Sequence, residues 1–236
     1  VKRNVSRRAL LGAGLLTLAG VGGAGGYGVG LFLTEEPSIA GTAAPLPMTL
    51  TPDPSATPSS TPTPPPKKIV PDDTKALQTD DLDYRVREFT ATSVVRSTVR
   101  LKVPRTWSFT QPDPPKIGRY TDPTSKRWIR IEAGFTIRRP PSESMAARLG
   151  ELATVPAAQM LSIKSHTVDP DTKEATLVYT YVPENSLRYV IIRWVANGDG
   201  LCTFEIAVTG LPQDQDALED ILDHAADSAT RDDSTI

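Results

Sequence analysis

The side chains best suited to chemistry in this 236-residue chain are cations interleaved with a tryptophan. Arg100 and Lys102 alternate with Val99, Leu101 and Val103, and Arg130 alternates with Ile129 and Ile131. On strands, that spacing puts the cations on the face opposite the apolar residues, and Trp128 falls on the same side as Arg130. A guanidinium beside an exposed indole makes cation–π and bidentate contacts with anions. Arg100, Lys102, Trp128 and Arg130 are therefore the candidate binding residues, with Arg119, Lys126 and Arg127 nearby in sequence. Anionic wall polymers, lipid headgroups and acidic proteins are the ligand classes such a patch fits. The competing reading covers that face with a helix and puts Trp128 in a core. The stretch 85–139 holds 13 basic and 4 acidic residues, against a net charge of −2 for the whole chain.

Other reactive residues point away from catalysis. Cys202 is the only cysteine, so the chain has no internal disulfide. Its alternation with Phe204 and Ile206 turns the thiol inward, where free cysteine behaves as a small hydrophobe. His166 lies at the end of an expected strand before Asp169-Pro170-Asp171, and His224 lies beside Asp220 and Asp223 on an acidic helix face. The two histidines lack metal-ligand spacing, and Asp169 to Thr172 reads as a turn, without the spaced ligands of a calcium loop. There is no glycine-rich phosphate loop and no nucleophile elbow. No catalytic residue, cofactor or metal is expected. An acidic chain without stacking motifs is not expected to bind nucleic acid.

The elements that must position these residues follow from periodicity. Residues 99–103, 129–133 and 202–208 alternate apolar and polar and read as half-buried strands. Ala175 to Val182 and Arg188 to Val195 are rich in Val, Ile and Tyr and read as central strands. Asn197-Gly198-Asp199-Gly200 supplies a hairpin turn. Ser142 is the expected N-cap of a helix with Met145, Leu149 and Leu152 inward. A second helix follows Pro212, with acids in its first turn and Leu218, Ile221, Leu222, Ala225 and Ala229 on its buried face. The expectation is an α+β domain over 84–230, a mostly antiparallel twisted sheet with two packed helices, followed by a disordered C-terminus at 231–236.

Upstream, Lys2, Arg3, Arg7 and Arg8 form a basic tail at 1–8, and residues 9–33 carry no charge. A helix of that length spans a ~30 Å hydrocarbon core, and the basic flank favours the cytoplasmic side. Gly22, Gly26 and Gly30 have the small-xxx-small spacing that lets two such helices approach closely, so self-association of the span is one expectation. A second reading starts from Ser6-Arg7-Arg8, which resembles a twin-arginine export signal, with small residues at 40–44 for cleavage. The retained anchor is the reading adopted, with the N-terminus inside and the C-terminal domain outside. Residues 34–83 contain a Pro/Thr/Ser-rich stretch ending in Thr61-Pro62-Thr63-Pro64-Pro65-Pro66 and are expected to form a disordered linker. Because the chain starts at valine, a cytoplasmic domain preceding Val1 stays open.

Val103-Pro104-Arg105-Thr106-Trp107 resembles the V-P-x-x-W that follows the first strand of PsbP-like domains. Tyr120-Thr121-Asp122-Pro123 resembles the aromatic-Asp-Pro segment that comes next in them. The resemblance runs from about Phe89 to Ala229. It implies an α/β/α sandwich, and a binding or assembly role, since the superfamily includes photosystem extrinsic subunits, a nuclear-transport factor and mycobacterial envelope lipoproteins. Unlike those lipoproteins, this chain has no cysteine after its apolar segment for lipid attachment.

The combined expectation is a non-catalytic, membrane-anchored, extracytoplasmic module of the cell envelope, holding an envelope protein or an anionic wall polymer. The proline-threonine stalk and alanine-rich composition fit an actinobacterial source. Two other functions fit parts of the sequence: the sensor domain of a receptor, such as a kinase, truncated upstream of residue 1, and a hydrolase secreted by the twin-arginine route. The hydrolase requires His166 or His224 to stand beside a carboxylate and a nucleophile.

Overall fold

A computed structural model of the chain describes residues 68–236. The basic tail, the candidate span at 9–33 and the linker as far as residue 67 lie outside the described residues. Among the described residues no helix is long and apolar enough to cross a membrane.

The fold is α+β, with antiparallel sheets and two helices. Strands β1 (Tyr84–Thr92) and β2 (Arg96–Pro104) form a hairpin, and β10 (Thr230–Ser234) adds to the other edge of β2. The remaining strands are β3 (Ser108–Thr110), β4 (Ile117–Thr121), β5 (Trp128–Glu132), β6 (Ser162–Val168), β7 (Ala175–Tyr181), β8 (Arg188–Ala196) and β9 (Cys202–Gly210). They make a seven-stranded antiparallel sheet in the order β3-β4-β5-β9-β8-β7-β6. Where a single sheet was expected, the strands divide into two, because β2 pairs with β1 and β10 and not with the strands that follow it.

Alternation along each strand sorts the core into two layers. Helix α2 (Gln215–Ser228) and the small sheet cover one face of the large sheet. There Val99, Leu101 and Val103 of β2 meet Ile129, Ile131, Ile206, Val208, Leu218, Ile221 and Leu222, all essentially solvent-free. Gly118 of β4 faces the ring of Phe89, and a Cβ added there would sit 2.7 Å from it. Helix α1 (Pro141–Leu152) lies on the opposite face over β7 and β8, with Met145 among Leu177, Ile192 and Trp194. Its first turn starts at Pro141, one residue before the expected N-cap Ser142, and has no side-chain cap, as suits a proline whose missing N–H needs no partner.

Two expected boundaries move. The linker was expected to run to residue 83, but residues 70–82 lie along the domain. Val70 N–H donates to the Asn185 carbonyl (2.8 Å), Asp72 pairs with Lys126 Nζ (2.8 Å), and Leu77 and Leu82 pack on the core. The C-terminus was expected to be disordered from 231, yet it forms β10. Its Arg231 side chain bonds the carbonyl of Thr203 (2.8 Å) and pairs with Asp233 (2.7 Å). Both segments are polar in composition and are held by hydrogen bonds rather than by apolar periodicity.

One buried ion pair ties these parts together. Arg127 is 3% exposed; its Nε and Nη2 donate to both oxygens of Asp214 (2.7 and 2.8 Å), its Nη1 to Asp122 (3.3 Å) and its Nη2 also to the Lys75 carbonyl (2.7 Å). Asp214 in turn accepts the backbone N–H of Leu77 (2.8 Å) and of Leu211 (2.9 Å). Removing one partner of a buried pair leaves the other charged and unsolvated. Asp214→Ala is therefore expected to lower the free energy of unfolding by about 3–5 kcal/mol, read by denaturant titration. Arg100→Ala, which removes an exposed pair with Glu88, is expected to change it by about 0–1 kcal/mol.

Candidate functional site

The four candidate residues do not form one patch. Arg100 and Lys102 lie on β2 of the small sheet, while Trp128 and Arg130 lie on β5 of the large one. Val99 and Leu101 share a core with Ile129 and Ile131, so the alternate residues on the two strands point outward from opposite sides. Arg100 is paired with Glu88, and Lys102 is exposed. Arg127, close to Trp128 in sequence, is structural. Asp122 of the aromatic-Asp-Pro segment is structural too: its carboxylate accepts the N–H groups of Lys126 (2.9 Å) and Arg127 (3.1 Å) and shapes the β4–β5 turn.

Trp128 and Arg130 open onto a different cluster. On the α1 side of the large sheet, register places side chains in rows across the strands. One row runs Thr121, Trp128, Thr209, Val190, Tyr179, and the next runs Arg119, Arg130, Ala207, Ile192, Leu177. Arg188 stands opposite Tyr181 at the end of β8. Thr209 and Ala207, short side chains of β9, lie between Trp128 and Arg130 on one side and the β8 and β7 residues on the other.

The arginines of this face fall into two groups. Arg130 and Arg148 are part of a ladder of alternating charge. Lys116 meets Glu132 (3.2 Å), Glu132 meets Arg130 (3.7 Å), Arg130 bonds Glu205, Glu205 bonds Arg148 (2.8 Å), and Arg148 bonds Glu151 (2.7 Å). Trp194 Nε1 donates to the second oxygen of Glu205 (3.0 Å). Three cations and three carboxylates thus cancel. Burial by itself would raise the Glu205 carboxyl; the guanidinium groups of Arg130 and Arg148, with the indole N–H, outweigh it and hold the carboxyl below its ordinary value.

Arg119 and Arg188 have no such partner. Among the described residues no carboxylate lies in ion-pair range of either. The Arg119 guanidinium sits 4.5 Å from the centroid of the Trp128 ring and that of Arg188 sits 5.9 Å from it. Arg188 Nη1 donates to the Lys126 carbonyl (3.1 Å). The Nε of Arg119 is buried and bonds nothing in the protein. Burial depresses its basicity, with Arg130 pushing the same way and Tyr181 opposing. Tyr179 and Tyr181 are held un-ionised by burial. The result is a half-buried pair of guanidinium groups aligned by an indole, with donors free for an anion.

The remaining reactive groups are placed otherwise. Cys202 is buried, its thiol directed at the Phe204 carbonyl (3.4 Å) and its pKa pushed up to about 11 by burial. His166 is exposed on β6. His224 stacks on Tyr84 (ring centroids 4.0 Å apart) with Nε2 3.8 Å from Asp220, whose carboxylate accepts the Tyr84 hydroxyl (2.5 Å). Burial, then Asp220, hold that phenol far above its ordinary value, so it is a poor nucleophile. Asp169 accepts the N–H groups of Asp171 and Thr172 (both 2.8 Å), the geometry of a turn.

The sequence reading put Trp128 and Arg130 on one face and named Arg119 only as near them in sequence, and it did not name Arg188 as a candidate. The signal for Arg119 is the Asp122–Arg127 turn: closing a hairpin there pairs Thr121 with Trp128 and Arg119 with Arg130. Arg188 has no local signal, because it reaches the indole only through the pairing of β5, β9 and β8.

No protein-family profile matches this chain, and no curated protein matches it. Among solved structures it is similar to cyanobacterial PsbP (CyanoP) from Synechocystis sp. PCC 6803, at 12% identity and a TM-score of 0.42, over 61% of this chain and 91% of that one. It is also similar to LpqN, a protein of Mycobacterium tuberculosis involved in cell envelope biogenesis, at 15% identity and a TM-score of 0.35, over 65% of this chain and 94% of that one.

The Glu205 ladder carries a pH signature. A carboxyl whose folded value lies below its unfolded value of about 4.3 contributes stability that is complete above the unfolded value. That contribution is lost as pH falls through the folded value. Glu205→Gln is expected to lower stability at neutral pH and to flatten its decline between neutral and acid pH, read by denaturant unfolding at a series of pH values.

Proposed function

We propose that this chain is a non-catalytic, membrane-tethered, extracytoplasmic module of the bacterial cell envelope, and that it binds an anionic ligand on the α1 side of its large sheet. The tether and location rest on the basic tail, the uncharged run at 9–33 and the Pro/Thr-rich segment after it. The observation that carries the binding role is the contrast between the two groups of arginines. Arg130 and Arg148, on the same face, each have carboxylate partners; Arg119 and Arg188 have an indole and no acid. A buried donor without an acceptor is costly to keep, and an oxyanion bridging the two guanidinium groups satisfies it.

The attachment of the tether supports the same reading. Residues 70–75 leave the domain past Asn185 and Lys126, which flank Arg188 and Trp128 in the chain. The binding face is therefore near the N-terminal end of the described residues. A ligand held there is kept at a reach set by the stalk, which is the work of an assembly or scaffolding module rather than of an enzyme.

The full chain, kept in a mild non-ionic detergent, is expected to be retained by immobilised poly(glycerol phosphate) and not by a neutral polysaccharide, with retention falling as salt rises. Arg119→Gln and Arg188→Gln are each expected to weaken retention about tenfold or more, since a hydrogen bond to a charged group is worth ~1.5–3 kcal/mol. Their unfolding midpoints are expected to stay close to the parent's. Retention that is equal in parent and variants would overturn the assignment of this face.

Location has its own test. C-terminally tagged protein is expected in the membrane fraction, with residues 1–33 intact by mass spectrometry of the N-terminus. A soluble extracellular form starting near Pro45 would replace the anchor with a cleaved export signal.

A further inference from the structure

Strand β1 breaks the rule that its partner β2 obeys. Arg85 pairs across the hairpin with Val103 and Arg87 with Leu101, and both of those partners are solvent-free core residues. Directly opposed residues share a face. The core-facing side of β1 therefore reads Arg85, Arg87, Phe89, Ala91, while Val86 on the outer side is 55% exposed. The apolar residue is out and the cations are in. Local rules broken in this way mark functional or strained sites.

We infer that Arg85 and Arg87 form a second oxyanion-binding site at the mouth between the two sheets, separate from Arg119 and Arg188. The Nε atoms of both arginines are buried and bond nothing in the protein. Among the described residues no carboxylate is in ion-pair range of either. Three arginines elsewhere on the surface are matched: Arg100 with Glu88, Arg105 with Asp83, Arg193 with Asp223. The two side chains stand about 7 Å apart along one strand face, close enough for their guanidinium groups to converge on one anion.

The surroundings indicate what that anion is attached to. Phe109 on the edge strand β3 is 42% exposed, with its ring 4.9 Å from Tyr120 and 5.8 Å from Phe89. Tyr120 is buried on the core side of β4, its phenol pushed up to about 12 by burial and drawn down by the charge of Arg87 nearby. An open aromatic edge beside two cations fits a carboxylate or phosphate carried on an apolar or flat group, which would cover the Phe109 ring. The next residue back on β4 is Arg119, on the opposite face. The two sites thus lie on opposite faces of β4, with Tyr120 beside one and Arg119 in the other, and a ligand at one does not occupy the other.

The test is nuclear magnetic resonance of the arginine Nε–Hε groups in the full chain, labelled with 15N-arginine and kept in non-ionic detergent. Inorganic phosphate is titrated in one arm and acetate in the other. Two signals, identified by their loss in Arg85→Gln and Arg87→Gln, are expected to shift saturably in at least one arm. They are expected to do so equally in an Arg119→Gln background. A response to one anion and not the other assigns the group recognised. If a glutamine variant does not fold, Arg87→Lys or Arg85→Lys serves for identification, because lysine removes the Nε–Hε signal and keeps the charge. Signals that stay still in both arms overturn the site, as do signals that drift linearly like that of exposed Arg105, or a response that disappears in Arg119→Gln.

Discussion

The guanidinium of Arg127 is the point on which the domain depends. It lies in the turn between β4 and β5, yet it bonds the start of α2 through Asp214 and the N-terminal segment through the Lys75 carbonyl. Three pieces of chain distant in sequence therefore share one buried charge. An ion pair in such a place adds little net stability over an apolar cluster of the same shape, because both ions lose their water. What it imposes is geometry. Asp214 has one oxygen on Leu77 and the other on Leu211, so the turn, the helix start and the incoming segment can meet in only one way.

That geometry reaches the candidate binding face through adjacency in the chain. Arg127 points into the core of the loop, which obliges Trp128 to face the α1 side, where β5 runs beside β4 and β9. The indole is then bracketed by Arg119 from β4 and Arg188 from β8. The neighbouring ladder through Glu205 keeps Arg130 and Arg148 in place without leaving net charge. The face thus has a neutral, rigid half and a cationic half, and the strand carrying the short Ala207 and Thr209 separates Trp128 from the tyrosines.

Much of this was legible in the sequence, and the parts that were not share a cause. Alternation disclosed β2, β5 and β9, β-branched content disclosed β7 and β8, and the apolar stripes of α1 and α2 were plain. β1 was hidden because Arg85 and Arg87 occupy its core face. β6 was read only as a strand ending near His166, without bounds, because every residue in it is exposed and no face contrasts with the other. β10 is polar and paired on one side only. The division into two sheets depends on which strands pair, and alternation carries no information about that. The same limit separated Arg100 and Lys102 from Trp128 and Arg130: each pair was read correctly on its own strand, but the strands belong to different sheets.

The segment from Val70 to Leu77 has a mechanical consequence. It is held by a series of polar contacts met in order along the chain: Val70 on Asn185, Asp72 on Lys126, Lys75 on Arg127, Leu77 on Asp214. A load applied at Val70 acts on them one after another and reaches the buried contacts of Arg127 and Asp214 after the exposed ones. The segment is a strain-relief strip: peeling it adds roughly 25 Å of slack, at ~3.3 Å per residue, before any strand is stressed. In a single-molecule pulling trace it should give a short extension step ahead of global unfolding. Because Lys126 both pairs with Asp72 and supplies the carbonyl that anchors Arg188, tension on this segment is also felt beside Trp128.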